Sequence, residues 1–136
     1  LIHFGAVAAQ VNFAANALQA SEDIYNELNR WRGEVQKEGV QFDFGVAVSI
    51  GEVIFGAIGH EDRMEITVIG EAVNLSSKLE KHTKIAKYRV VTTVKTFETA
   101  RAHGYNPQLS HFSLPQSLVA GIPHSLDLVG IGDPII

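Results

Sequence analysis

Three polar side chains stand close together where a core element would need none of them. Thr67 lies inside an alternating apolar run, and Asn74 and Lys78 lie four residues apart in a run with helical spacing. An amide can orient a sugar oxygen, and an ammonium group one turn further on can offset the negative charge of a phosphate. The spacing therefore suits a small anionic ligand. The alternative is a strand threonine and two polar residues on the solvated side of a helix, which are common in globular proteins.

A strand, a tight turn at Gly70 and a helix are predicted to hold these side chains. The helix is expected from about Glu71 to His82. On a helical wheel, Glu71, Asn74 and Lys78 share one polar face. The buried stripe is predicted to comprise Ala72, Leu75, Ser76 and Leu79. Unbonded backbone N–H groups and the positive end of the helix dipole would lie beside the end of the strand, where phosphate or ribose oxygens can bind.

The chain before this motif predicts one long amphipathic helix. Apolar residues recur at helical spacing from Ala6 to about Lys37, and the helix is expected to bend or divide at Ser21–Asp23 or at Gly33. Its apolar stripe is predicted to contain Val7, Val11, Ala14, Leu18, Ile24, Leu28, Trp31 and Val35. Trp31 is expected in the core, and a dimer contact is the alternative.

The remaining elements predict an α+β sandwich, a sheet with helices on one face. Alternating residues indicate strands at 42–50 and 52–58, which are expected to form a hairpin about Gly51. Gly59–Arg63 is expected to be a loop. Further strands are predicted at 64–69, 88–93 and 125–129, with a helix at 93–103 that Gly104 ends. The segment Tyr105–Ile122 is expected to be irregular.

Length and composition limit the class of protein. The 136 residues suffice for a single domain spanning 1–136, and 46% hydrophobic with 19% charged residues is typical of a globular chain. A net charge of −4 without a dense Lys/Arg run argues against nucleic-acid binding, and the lack of Cys excludes disulfides. No run of about 18 apolar residues occurs, so membrane attachment is expected only through segments outside this sequence. The six His residues lack metal-ligand spacing, and no GxSxG motif supports a hydrolase.

The segment 45–80, GVAVSIGEVIFGAIGHEDRMEITVIGEAVNLSSKLE, resembles the second half of the class III adenylate/guanylate cyclase catalytic domain. The family pattern combines spaced glycines, a polar loop and then Tyr-Thr-x-x-Gly-Asp-x-Val-Asn, followed by Arg-Leu-Glu. The resemblance extends from Leu1 to about Thr93. It implies a ferredoxin-like βαββαβ core and a head-to-tail homodimer with shared active sites. It also implies conversion of ATP, in preference to GTP, into a cyclic nucleotide and pyrophosphate.

The resemblance assigns a role to each residue of the motif. Thr67 falls where the family selects the purine base, Asn74 where it holds the ribose, and Lys78 where it usually has an Arg that stabilises the transition state at the α-phosphate. The implied substrate-binding set is Thr67, Val68 and Val73, and the implied catalytic set is Asn74 and Lys78. Lys78 keeps the charge of the Arg but loses its two-pronged geometry, so weaker catalysis is expected. Two further departures are Glu71 for the usual Asp and Val129 where a basic residue often precedes a glycine.

The metal-binding carboxylates are expected outside this chain. In the family two Asp residues bind a pair of Mg²⁺ or Mn²⁺ ions, and both, like the Lys that reads the base, would precede Leu1. No metal ligand is therefore predicted among these residues, and the chain alone is expected to be inactive. A cytoplasmic location, or the cytoplasmic face of a membrane, is also implied. The alternatives are a non-catalytic cyclase-like module for dimerisation or nucleotide sensing, and a cyclase-fold dimerisation domain that binds no nucleotide.

Overall fold

The computed structural model describes residues 1–6, 8 and 10–136, which contain three helices and six strands. In chain order these are α1 Phe13–Gln36, β1 Val46–Val48, β2 Ile54–His60, β3 Arg63–Ile69, α2 Glu71–Ala86, β4 Tyr88–Thr93, α3 Val94–Ala102, β5 His111–Ser117 and β6 Leu126–Pro134. Within these described ranges, no helix is long and apolar enough to cross a membrane.

Four of the strands form a mixed sheet in the order β1-β4-β6-β5, and β2 and β3 form a separate two-stranded sheet. β1 and β4 are parallel, whereas β6 is antiparallel to both of its neighbours. The chain crosses from β1 to β4 through the β2–β3 hairpin and α2, because parallel strands need a long connection. The predicted α+β fold is confirmed.

Helices cover both faces of the four-stranded sheet, so the prediction of helices on one face only is wrong. Val90 and Val91 are adjacent in β4 and both 0% exposed, and adjacent strand residues point to opposite faces. Val90 packs in a cluster with α1 and α3 residues, including Leu18 and Ala100. Val91 packs in a second cluster with Leu79 of α2. The alternation in β4 therefore divides the core into an α1/α3 side and an α2 side.

The first helix is shorter than predicted and is not divided. It begins at Phe13 rather than Ala6, and Val11, which precedes it, is 92% exposed. Val7, which was predicted to join the stripe, lies outside the described residues. The helix continues through Ser21–Asp23, where the Ser21 hydroxyl donates to the Ala17 carbonyl at 2.8 Å. That bond keeps the polar residue inside the helix and removes the expected break.

The last turns of α1 extend beyond the sheet, so the prediction that Trp31 lies in the core is wrong. Its side chain is 46% exposed, and its ring lies 4.6 Å from that of Phe42 in an edge arrangement. The same turns carry an exposed ion-pair network of Arg30 with Glu27 and Glu34. A surface position suits both features.

The predicted hairpin about Gly51 is wrong, because the two strands belong to different sheets. Val46–Val48 pairs with β4 through the parallel crossover, and β2 pairs instead with β3 from Ile54↔Ile69 to His60↔Arg63. The polar loop predicted at Gly59–Arg63 shrinks to the two residues between these strands. The long-range pairing of β1 with β4 therefore stands in place of the predicted local pairing of β1 with β2.

The segment predicted to be irregular contains an edge strand. β5 pairs antiparallel with β6, and the register shifts between Leu114 and Ser117. Pro115 and the positive φ of Gln116, +50°, lie at that irregularity and obscure an alternating pattern. The predictions for β4 and for α3, which ends before Gly104 at φ +99°, are confirmed.

Candidate functional site

The junction of β3 and α2 is the centre of the candidate site, and Gly70 makes it possible. A Cβ atom at residue 70 would lie 2.8 Å from the Glu52 carbonyl oxygen and 3.2 Å from the Val53 Cα. The side chain of any other residue would collide with the backbone of Glu52 and Val53 and push that segment away from the junction. The space left by glycine lets α2 begin at Glu71, directly after the last residue of β3.

The first turns of α2 are held by the segment that follows β1. The Ser49 hydroxyl donates a hydrogen bond to the Ala72 carbonyl and is also hydrogen-bonded to the Ser76 hydroxyl. A Cβ at Gly51 would meet the Ala72 methyl at 3.0 Å, so this segment and the helix are in close contact. The two sequence blocks that carry the spaced glycines and the helix motif are thereby fixed against each other.

The helix presents its polar residues as its sequence predicts. Leu79 is fully buried, whereas Glu71 and Asn74 are exposed. The backbone N–H of Asn74 donates to the Gly70 carbonyl at 3.2 Å, which closes the first helical turn. Among the described residues no side chain caps this helix start. Glu71 and Asn74 are the exposed side chains at this positive end of the helix.

Lys78 is half-buried and makes a contact that the sequence did not suggest. Its Nζ atom donates a hydrogen bond of 2.9 Å to the carbonyl oxygen of Gly121, in the turn between β5 and β6. The two residues are 43 positions apart. No local pattern could have indicated this pair.

The five predicted site residues do not line a single cavity. Val68 and Val73 border a cavity of about 700 Å³ between α1, β1 and α2, and that cavity is not bordered by Thr67, Asn74 or Lys78. Thr67 is half-buried opposite Gly56, and it points to the other side of β3 from its neighbour Val68. The two valines therefore line the cavity, whereas Thr67, Asn74 and Lys78 lie outside it.

Two further residues named from the sequence are placed by the structure. Val129 is 6% exposed within the core cluster on the α1 side, so it does not face an open site. His82, at the expected helix end, is 6% exposed inside a longer α2, and its Nδ1 atom has no hydrogen-bond partner among the described residues. Burial explains why neither residue contributes to the polar face.

Within the described part of the chain, no three His, Asp or Glu side chains come together as a ligand set for an ion. The divalent ion that the family resemblance implies therefore does not fit these residues by themselves.

The fold and the junction together define a class of protein. The structure superposes on the adenylyl cyclase CyaB from P. aeruginosa with a TM-score of 0.73 at 20% identity, covering 96% of this chain and 65% of that one. It superposes on the guanylyl cyclase Cya2 with a TM-score of 0.69 at 22% identity, covering 98% and 64%. The chain thus has the fold of the class III adenylyl/guanylyl cyclase catalytic domain.

Sequence relatives agree with this fold. An adenylate cyclase of Dictyostelium discoideum, described as terminal-differentiation specific, is 43% identical over 54 residues, 40% of this chain and 2% of the relative. An adenylate cyclase of Anabaena cylindrica is 33% identical over 72 residues, 52% of this chain and 14% of the relative. An uncharacterized protein of Mycobacterium tuberculosis is 30% identical over 115 residues, which are 79% of this chain and 19% of the relative. The chain spans less than a fifth of each of these relatives, and no family model matches it.

Proposed function

We propose that this chain is part of a purine nucleotide cyclase catalytic domain that converts ATP to cyclic AMP and pyrophosphate. In this reaction the ribose 3′-hydroxyl attacks the α-phosphate. The single observation that carries the proposal is the close approach at Gly70. It starts α2 immediately at the end of β3 and so brings the strand with Thr67, the helix start and the exposed Asn74 side chain to one junction.

Each polar residue has a distinct part in this proposal. Asn74 orients the ribose through its amide, and Lys78 offsets negative charge that develops on the α-phosphate. Thr67 contacts the purine edge with a hydroxyl that can donate or accept a hydrogen bond, so its chemistry permits adenine and guanine. ATP is preferred because two of the named relatives are adenylate cyclases.

A homodimer with shared active sites is part of the proposal, and the β2–β3 hairpin supports it. Large apolar residues of this hairpin are exposed in the single chain: Ile54 72%, Ile58 58%, Met64 62%, Ile66 73% and Ile69 51%. Ile54, Ile58 and Ile69 lie on the face of the hairpin that holds Thr67, and Met64 and Ile66 lie on the opposite face. Exposed apolar surface of this kind is typical of an interface. Thr67 lies in the same hairpin, so an interface there would place it at the seam between two chains.

Nucleotide binding tests the site residues. Titration with a fluorescent ATP analogue should show that Asn74→Ala and Lys78→Ala each weaken binding roughly tenfold, because each removes one group that contacts the nucleotide. Lys78→Arg should retain binding, since the charge remains. Lys84→Ala, an exposed lysine of the same helix, is the matched control. Equal affinities for all four variants would contradict the assigned roles.

Product formation separates the enzyme from its alternative. Cyclic nucleotide formation is measured on the full-length protein with Mg²⁺ or Mn²⁺ and with either ATP or GTP. Product from one nucleotide supports the cyclase. Nucleotide binding without product from either one favours a non-catalytic module for dimerisation or nucleotide sensing, an alternative that Lys78 in place of Arg supports.

Sedimentation tests the dimer. Ile54→Lys should shift the protein toward monomer, because Ile54 is 72% exposed on the hairpin face that holds Thr67 and a charge there would be buried on association. Leu118→Lys, at an 80% exposed leucine outside the hairpin, is the matched control and should leave the association unchanged. The interface proposal fails if the two variants associate equally well.

A further inference from the structure

The turn between β5 and β6 is anchored next to Lys78. The Ile122 N–H donates to the Val119 carbonyl at 3.0 Å, which closes the turn. Val119 is 3% exposed and packs in one cluster with Leu79, the residue that follows Lys78 in α2, and Ile122 packs against the same cluster. Both ends of the turn are therefore tied to the helix that carries the lysine.

Gly121 fits the lysine in two independent ways. Its φ of +86° lies in the left-handed region, where side chains other than glycine are strained. A Cβ atom there would also lie 3.1 Å from Cε, 3.3 Å from Nζ and 3.4 Å from Cδ of Lys78. The missing side chain thus provides the space through which the lysine stem passes.

The carbonyl of Gly121 restricts the position of the Lys78 ammonium but occupies only one of its hydrogen-bond donors. The Nζ atom carries three donors on a flexible four-carbon stem, and one of them is used by the Gly121 oxygen at 2.9 Å. Two donors remain for an anion. A lysine held in this way needs less ordering when a phosphate binds than one that is free in solvent.

We infer that Gly121 is a positioning residue that holds the Lys78 ammonium for the phosphates of a nucleoside triphosphate. This inference rests on the proposed function, because it takes Lys78 as the phosphate-contacting group. The opposite role, in which the carbonyl sequesters the lysine from the ligand, predicts the reverse effect of breaking the contact.

The test compares two glycine substitutions. Gly121→Ala introduces backbone strain and the clash with Lys78, whereas Gly104→Ala introduces strain at φ +99° with nothing within 4 Å of the new Cβ. Far-UV circular dichroism checks the fold of both, and titration calorimetry measures ATP and adenosine affinities. Gly121→Ala should lose roughly fivefold to tenfold in ATP affinity with adenosine affinity unchanged, and Gly104→Ala should keep both. Combining Gly121→Ala with Lys78→Met should weaken ATP binding no further than Lys78→Met alone.

Each result decides a separate point. Unchanged or tighter ATP binding by Gly121→Ala, with wild-type binding intact, overturns the positioning role and leaves the proposed function standing. If the wild-type chain binds neither ATP nor adenosine, the proposed function fails and the positioning role fails with it.

A measurement on the wild-type chain covers the case in which Gly121→Ala does not fold. Lysine acylation rates are followed by mass spectrometry, with exposed Lys84 of the same helix as internal reference. Lys78 should react several-fold more slowly than Lys84, and ATP but not adenosine should slow it further. Equal rates for the two lysines, or no effect of ATP on Lys78, overturn the inference.

Discussion

Replacing Glu22 by Ala should destabilise the protein more than any exposed substitution on the same helix. Glu22 is 2% exposed in α1, and its Oε1 atom accepts hydrogen bonds from the Tyr105 hydroxyl at 2.9 Å and from the backbone N–H groups of Gln108 and Leu109 at 3.0 Å each. The carboxylate therefore joins α1 to the segment between α3 and β5. Without it, three donors lose their acceptor.

The size of the effect follows from those three donors. A buried donor without a partner costs about 1–3 kcal/mol, which for three gives about 3–9 kcal/mol. Gln108 is exposed, so water can reach part of the segment and replace some of the lost bonds. We therefore expect a loss of about 3–5 kcal/mol, the range found when one partner of a buried charged network is removed. That is a large share of the roughly 5–15 kcal/mol by which domains are stable.

Urea unfolding followed by far-UV circular dichroism measures the loss. Tyr105→Phe removes one donor and leaves the other two bonded, so it should cost only about 1 kcal/mol. Asp23→Ala changes the neighbouring acid, which is exposed, and should leave the urea midpoint unchanged. A loss of under about 1 kcal/mol for Glu22→Ala, or a loss equal to that of Tyr105→Phe, would refute the reasoning.

Three further predictions concern pH and packing. Burial raises the pKa of Asp43, but the hydrogen bonds from Arg89 and a backbone N–H, with nearby positive charge, outweigh burial and hold the pKa below its usual range. The resulting stabilisation is present above about pH 4 and is lost as the pH falls through the lowered pKa. Asp43→Asn should cost under about 1 kcal/mol at pH 7, because this side chain is largely exposed, and its urea midpoint should not show that loss at acidic pH. Burial and the neighbouring carboxylate raise the pKa of Tyr105, so wild-type stability should fall as pH rises above about 10, and Tyr105→Phe should not show this fall in alkaline thermal melts. Gly45→Ala would place a Cβ 2.6 Å from a threonine hydroxyl oxygen of α2 and should lower the free energy of unfolding by about 1–3 kcal/mol. Gly33→Ala, in open space in the last turn of α1, should raise the free energy of unfolding by up to about 1 kcal/mol, because alanine favours the helix. Equal urea midpoints for the two variants would contradict the packing argument.

Sequence patterns predicted the elements whose shape depends on near neighbours in the chain. The β3–Gly70–α2 unit, β4 and α3 all have the predicted type, and the exposed face of α2 holds Glu71 and Asn74 as its wheel indicates. Strand alternation, helical spacing and the turn at Gly70 are properties of a few consecutive residues. They therefore remain readable without knowledge of the rest of the molecule.

Pairing between strands could not be read in this way. The run before Gly51 alternates well enough for a hairpin, yet β1 joins β4 some 44 positions later, as Val46↔Val90 shows, and β2 turns instead to β3. α1 also begins later than its pattern predicts, because helical spacing alone does not say which residues find a surface to pack on. In each case the deciding partner is distant in sequence.

The sequence by itself determined that a threonine-bearing strand turns at glycine into a helix with an amide and an ammonium on one face, since those features follow from local spacing. Only the tertiary structure decided what that ammonium contacts. Val119 and Ile122 pack beside α2, and this packing brings the Gly121 carbonyl to Lys78 from 43 residues away. Burial of those apolar side chains against the sheet, rather than any property of the motif, sets the position of the lysine.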